Sequence, residues 1–293
     1  MGSGTPLVQI ESLMPDPQYS PHWSLDPSVR YLNHGSFGAT PKPVMACQAE
    51  LRREMEREPV QFLWRRLPAR LDDARQILAN FLQARSSDLV FVTNATSAVN
   101  AVLRSRTWQT GDELLTTNHA YNACRNVLDH VVGNHGLALK VAKIPFPLRS
   151  DDEVLAATLE QVTPGTRLAL IDHVTSPTAL VLPIARIVRS LEAKGIDTIV
   201  DGAHAPGMLP LDLNAIGAAY YTGNLHKWVC APKGAAFLHV RADRQVGLMP
   251  TVISHGLNTP REGTPWFRLS AQIYNSPDDY EALLEALATN LPV

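Results

Sequence analysis

A lysine placed just past an apolar, strand-like run can do chemistry that a solvated lysine cannot. Lys227 sits in Tyr220-Tyr221-Thr222-Gly223-Asn224-Leu225-His226-Lys227-Trp228, ahead of Pro232-Lys233-Gly234 and a second strand-like run, Ala235-Ala236-Phe237-Leu238-His239-Val240. Between apolar walls an amine loses its proton readily and condenses with a carbonyl as a Schiff base. Strand ends are also where open α/β sheets bind ligands. Most lysines are merely solvated, so Lys227 acquires meaning only from partners elsewhere in the chain.

Asp201 is the first of these. It ends the apolar run before Gly202-Ala203-His204-Ala205-Pro206-Gly207, and a poorly solvated carboxylate needs a cation or a hydrogen-bond donor. With His204 it can form a structural ion pair, a metal site or a ligand contact. The histidines lack the close spacing of a zinc motif, so no metal is expected. Asp201 and Lys227 end two consecutive strands, and one crevice would set a carboxylate opposite a Schiff-base lysine. Pyridoxal phosphate needs that pair: an acid to keep its pyridine nitrogen protonated and a lysine for its aldehyde. A third partner is Asn94-Ala95-Thr96-Ser97-Ala98, a small-residue turn between a strand and a helix. It is either an ordinary N-cap or an anion site made of free backbone N–H groups.

The elements that must position these residues alternate. Residues 5–30 carry prolines and little periodicity, so an extended arm is expected. Apolar spacing predicts helices over 44–57 and 64–83, with charge on the opposite face; Arg65 and Arg66 belong to such a face. Strands are expected at 88–93, 112–117, 137–144, 167–172 and 197–200. Helices are expected at 119–135, 151–162 and 182–194, the first starting with His119 and Tyr121 and the last closed by Gly195. This rhythm predicts an α/β fold, a mainly parallel sheet with helices on both faces. The turn-rich segment Tyr31-Leu32-Asn33-His34-Gly35-Ser36-Phe37-Gly38 suits a loop over a ligand or an ordinary turn.

Composition narrows the class. The 293 residues are 45% hydrophobic and 18% charged, a globular profile. A net charge of -2 gives no reason to expect nucleic acid or an anionic membrane as partner. Cys47, Cys124 and Cys230 form no close-spaced pair, which argues against a disulfide framework. No apolar run approaches the roughly 20 residues that span a bilayer. Met1-Gly2-Ser3-Gly4 lacks the features of a signal peptide, so a cytoplasmic location is expected.

Taken together, the motifs resemble fold-type I pyridoxal-phosphate enzymes of the class V aminotransferase group, in the isopenicillin N epimerase-like and cysteine desulfhydrase-like branch. The residues that carry the resemblance are 31–38, Thr93-Asn94-Ala95-Thr96-Ser97-Ala98, Asn118-His119-Ala120-Tyr121-Asn122-Ala123, His173-Val174-Thr175-Ser176-Pro177-Thr178, 201–207, Gly223-Asn224-Leu225-His226-Lys227-Trp228 and 267–275. They occur in family order from about residue 30 to 258 and resume at Phe267. The resemblance implies a seven-stranded-type sheet, with Lys227 as the Schiff-base lysine and base at Cα. Asp201 becomes the partner of the pyridine nitrogen and His204 a neighbour of the phenolic oxygen. Ala95, Thr96 and Ser97 would cradle the phosphate, helped by Asn224 and His226. His119 or Tyr121 would stack on the ring, and Ser176 would lie near the phenolic oxygen. Asn33 and His34 would approach the substrate, and Arg268 would grip its carboxylate.

The resemblance also implies an amino-acid substrate and a homodimer. It divides the chain into an arm (1–30), a cofactor-binding large domain (31–258) and a reduced α+β remnant of the small domain (259–293). Between Asn258 and Phe267 the sequence is much shorter than the family pattern, which otherwise holds most of that small domain there. The expected reaction is C–S β-elimination from cysteine or a cysteine S-conjugate, which asks only for Lys227 and a leaving group. Epimerisation, transamination and cofactor binding without turnover are the alternatives.

Overall fold

The computed structural model describes residues 18–253, together with Ala282 and Glu285, which lie in helical backbone. Arg268, the remnant expected at 259–293 and the first part of the arm lie outside the described residues. The chain divides into two compact units, Met1–Val252 and Ile253–Val293, and the elements below belong to the first.

After a single 3-10 turn at Ser20–His22 come α1 (Lys42–Arg57), a π-helical stretch (Gln61–Arg66) and α2 (Leu67–Leu82). Strands and helices then alternate: β1 (Leu89–Val92), α3 (Ala95–Ser105), β2 (Glu113–Thr117), α4 (Asn122–His135), β3 (Ala138–Ala142) and α5 (Asp151–Glu160). They continue as β4 (Thr166–Asp172), α6 (Ile184–Glu192), β5 (Asp197–Asp201), α7 (Leu213–Ile216), β6 (Tyr220–Asn224) and β7 (Ala236–Val240). The seven strands form one sheet in the order β1-β7-β6-β5-β4-β2-β3. Only β7 runs against its neighbours, because the short loop after Lys227 returns the chain beside β6 as a hairpin, without a crossover.

Strand alternation builds a core on each face. Leu168, Leu170, Ile199, Tyr220 and Leu238 pack with Val99, Val102 and Leu128 of α3 and α4. Ala169, Ile171, Val200, Tyr221 and Phe237 pack with Leu78, Leu82, Ile187 and Leu191 of α2 and α6. Each such valine, leucine, isoleucine or phenylalanine, fully buried, contributes about 1.5–3 kcal/mol, so slipping one strand by a residue is strongly disfavoured. Register is therefore secure where the strands end. Among the described residues no helix is long and apolar enough to cross a membrane.

Two local expectations are corrected. The helix expected from His119 begins only at Asn122. Asn118 exchanges two hydrogen bonds with the Ile144 backbone, at 3.1 and 2.8 Å, and His119 Nε2 lies 3.1 Å from Ile144 O; these hold 118–121 out of the helix. The helix expected over 182–194 starts at Ile184 instead, after Pro183 at its N-cap. Proline restricts the residue before it to extended backbone, so Leu182 cannot join the helix.

Candidate active site

β4, β5 and β6 run parallel and in register, which sets Asp172 beside Asp201 and Asp201 beside Thr222. Asp172, Asp201 and Asn224 share the alternation of Leu170, Ile199 and Tyr220, so they face the α3 and α4 side. Beyond these strand ends opens a cavity of about 1350 Å³. Lys227, His204, Asp201, Asn224 and His226 line it, with Ala95, Thr96 and Ser97, Asn33, His34, Tyr121 and Ser176. Residues far apart in sequence thus meet at one crevice.

Lys227 Nζ lies 2.9 Å from His204 Nε2. Burial lowers the lysine pKa, against the opposing pull of the Asp201 charge. Burial, then the Lys227 charge, brings His204 down to about 4, so its imidazole is neutral at pH 7 and accepts from the lysine. The lysine backbone is also held. His34 Nε2 donates to Lys227 O at 3.1 Å, and the His34 ring leans on Trp228 with centroids 5.3 Å apart. His34, expected at the substrate, thus also anchors the lysine loop. Gly38 packs directly on that loop: a Cβ there would lie 2.6 Å from the carbonyl oxygens of His226 and Lys227.

Asp201 is 2% exposed and has two weak donors, the Ala203 N–H at 3.0 Å and the Cys124 thiol at 3.2 Å. Neither neutralises a charge. Burial raises its pKa above the ordinary carboxylate value despite these bonds, and a cationic N–H arriving from the cavity would relieve that. The thiol of Cys124 is itself pushed far up by burial and by Asp201, so it stays a donor.

At the N-terminus of α3 the Asn94 side chain accepts from Ser97 N at 2.8 Å, an ordinary cap. Asn224 Oδ1 accepts from Ala95 N at 2.9 Å. Two of the amides expected at an anion are thus held by protein oxygens. His226 Nδ1 lies 2.9 Å from Ala235 O, leaving its other nitrogen free of that bond. Of the two candidate stacking residues, Tyr121 lines the cavity and is half exposed. His119 is buried, its Nδ1 3.0 Å from Thr178 Oγ1 and its Nε2 on Ile144 O, and it does not line the cavity.

Two residues were not singled out as site members from sequence. Cys124 carried no local signal, since the α4 face that brings its thiol to Asp201 exists only in three dimensions. Asp172 did carry one: like Asp201, it is an acid closing an apolar strand, Leu168-Ala169-Leu170-Ile171-Asp172.

The mainly parallel sheet, with a lysine loop beyond β6 and a buried acid ending β5, is an α/β fold of the PLP-dependent transferase type. The chain belongs to the aminotransferase class-V family, which its residues 39–261 match. It is similar to isopenicillin N epimerase of Amycolatopsis lactamdurans, 42% identical over 80% of this chain and 59% of that protein. It is also similar to a probable L-cysteine desulfhydrase, chloroplastic, of Arabidopsis thaliana, 33% identical over 82% of this chain and 53% of the relative. In three dimensions it matches C-DES, in a mutant form with glycine covalently linked to its PLP cofactor. The TM-score is 0.73 at 22% identity, covering 82% of this chain and 63% of that one. The chain therefore spans less than two thirds of the length of these relatives.

Proposed function

We propose that this chain is the cofactor-binding domain of a pyridoxal 5'-phosphate enzyme that eliminates sulfur from cysteine or a cysteine S-conjugate. The observation that carries this is the meeting of Lys227, neutral His204 and buried Asp201 in one cavity. When bound, the cofactor supplies an electron-accepting ring that stabilises negative charge at the amino acid's Cα. Asp201 holds the proton on the ring nitrogen, and its need for a cationic donor is the observation that fits the group to the site. Thr96 and its neighbours at the α3 N-terminus receive the phosphate, assisted by Asn224 and His226. Tyr121 would cover one ring face, His204 and Ser176 would lie near the phenolic oxygen, and Asn33 would serve the substrate. Lys227 Nζ takes the Cα proton, and the C–S bond then breaks with its electron pair leaving on sulfur. A cytoplasmic homodimer is part of the same proposal.

Epimerisation is the second reading, favoured by the 42% identity to isopenicillin N epimerase. Incubation with pyridoxal phosphate should turn the protein yellow, and borohydride should bleach it and leave the added mass on Lys227. Cysteine conjugates should then yield pyruvate and thiol in equal amounts. Inverted amino acid without pyruvate would select the epimerase, and a colourless protein would overturn both.

The contact of Gly38 with the lysine loop gives a further expectation. Gly38→Ala should push Lys227 away from His204, and a displacement near 1 Å costs about 10²-fold in turnover. Steady-state kinetics on the reconstituted protein would measure it. Unchanged kcat would show that this contact does not hold the lysine in place.

A further inference from the structure

Beside the acid already given a role lies a second one. Asp172 ends β4 as Asp201 ends β5, the two are register partners, and each is 2% exposed. Adjacent strands lie about 4.8 Å apart, so the two carboxyl groups share one side of the sheet at close quarters. The Tyr121 amide faces the Asp172 carboxyl and acts to lower its pKa. The Oδ1 oxygen of Asp172 is buried, belongs to a cavity-lining residue and has no hydrogen-bond partner among the described residues. A buried polar atom without a partner is destabilising. Such a cost is commonly tolerated at a site that is completed by a ligand.

Every element packed around the pair contributes to its charge. Asp201 has the Cys124 thiol, the Ala203 amide and the pull of Lys227. Asp172 has only the Tyr121 amide against burial and the Asp201 charge, which together hold its pKa well above the ordinary carboxylate value. On the other face of the sheet His173 and Tyr221 bond each other at 2.9 Å, and burial keeps both neutral. Two adjacent carboxyls do not both ionise. Burial and mutual repulsion therefore push both carboxyls toward the protonated form.

We propose that Asp172 is a positioning residue of the cofactor site: its unpartnered oxygen, beside Asp201 and on the cavity wall, hydrogen-bonds the Asp201 carboxyl when the cofactor is bound and so fixes the acid that meets the ring nitrogen. The inference rests on the cofactor assignment above. It also gives the two acids different tasks, one as the partner of the ring nitrogen and one as the neighbour that holds that partner in place.

Asp172→Asn keeps the shape, an oxygen facing the Tyr121 amide and a donor in place of the acid proton, while Asp172→Ala keeps none of them. Wild type, Asp172→Asn and Asp172→Ala would be titrated with pyridoxal phosphate by visible absorbance and visible circular dichroism, which reports how the bound ring is held. Asp172→Asn should bind within about twofold of wild type with the same dichroism. Asp172→Ala should bind about tenfold more weakly, the loss of roughly one hydrogen bond, with reduced dichroism.

Melting of the cofactor-free proteins supplies a readout that does not depend on binding. The raised folded pKa of Asp172 means that its stability contribution is full below the unfolded value, near 3.9, and is lost as pH rises through the folded value. Asp172→Asn should remove that dependence and melt higher than wild type at neutral pH. An Asp172→Ala protein that binds and orients the cofactor like wild type would overturn the proposal, as would an Asp172→Asn protein as impaired as the alanine variant. Failure of the wild type itself to bind would instead sink the cofactor assignment, and this inference with it.

Discussion

Lys227→Ala should lower turnover by at least about 10³-fold, within the range of removing a positioned general base, while leaving the fold intact. The side chain makes one described hydrogen bond, to His204. What anchors this loop is backbone: Lys227 O accepts from His34, and Cys230 N donates to Lys227 O at 3.0 Å. Alanine keeps both. The variant should still take up pyridoxal phosphate through Asp201 and the α3 N-terminus, but reversibly, so that borohydride no longer fixes the cofactor to the protein. Lys227→Arg sharpens the test. It restores positive charge beside Asp201, but a guanidinium does not give up its proton and cannot form the covalent link. It should be as inactive as alanine. Measuring kcat, melting temperature and covalent cofactor mass on the three proteins would settle it; an arginine variant with appreciable turnover would remove Lys227 from the chemistry.

That such a prediction can be made reflects how much of the site is written in strand ends. Lys227, Asp201 and Asn224 each follow or close an apolar run, and an apolar run of that length is confined to the sheet interior by its own burial. Its polar end must then emerge at the edge, where ligands bind. The alternation of β and α predicted the mainly parallel sheet for the same reason, and the family resemblance its seven strands. The boundary at His119 was not legible, because it depends on hydrogen bonds to Ile144, a residue of another strand end. Periodicity sees only the chain's near neighbours. The different surroundings of His119 and Tyr121 depend on the same distant contact: His119 is held by Thr178 and Ile144, and of the two Tyr121 lines the cavity. Asp172 was legible in kind but not in weight, since its importance lies in being the register partner of Asp201, and register is settled by the whole sheet.

The same pairing governs the second large effect. Asp201→Asn preserves volume and can still accept from Ala203 N through its amide oxygen, but it cannot carry negative charge. Without the counter-charge the ring nitrogen has no reason to keep its proton, and turnover should fall by about 10²–10³-fold, the scale of losing one preorganised electrostatic partner. Stability should move the other way. Asp201 is buried with its pKa raised, so its favourable contribution is present below the unfolded pKa and lost as pH rises through the folded one. The cofactor-free Asn variant should therefore melt at or above the wild-type temperature near pH 7 and depend less on pH above about 4. A variant that is merely misfolded would lose activity and stability together. Lower kcat with an equal or higher melting temperature, seen by steady-state kinetics and thermal denaturation from pH 4 to 8, would show that Asp201 is kept at a cost to the fold because the chemistry needs its charge. An Asn variant that keeps full turnover would place the ring's counter-charge elsewhere, with Asp172 the neighbouring acid left to supply it.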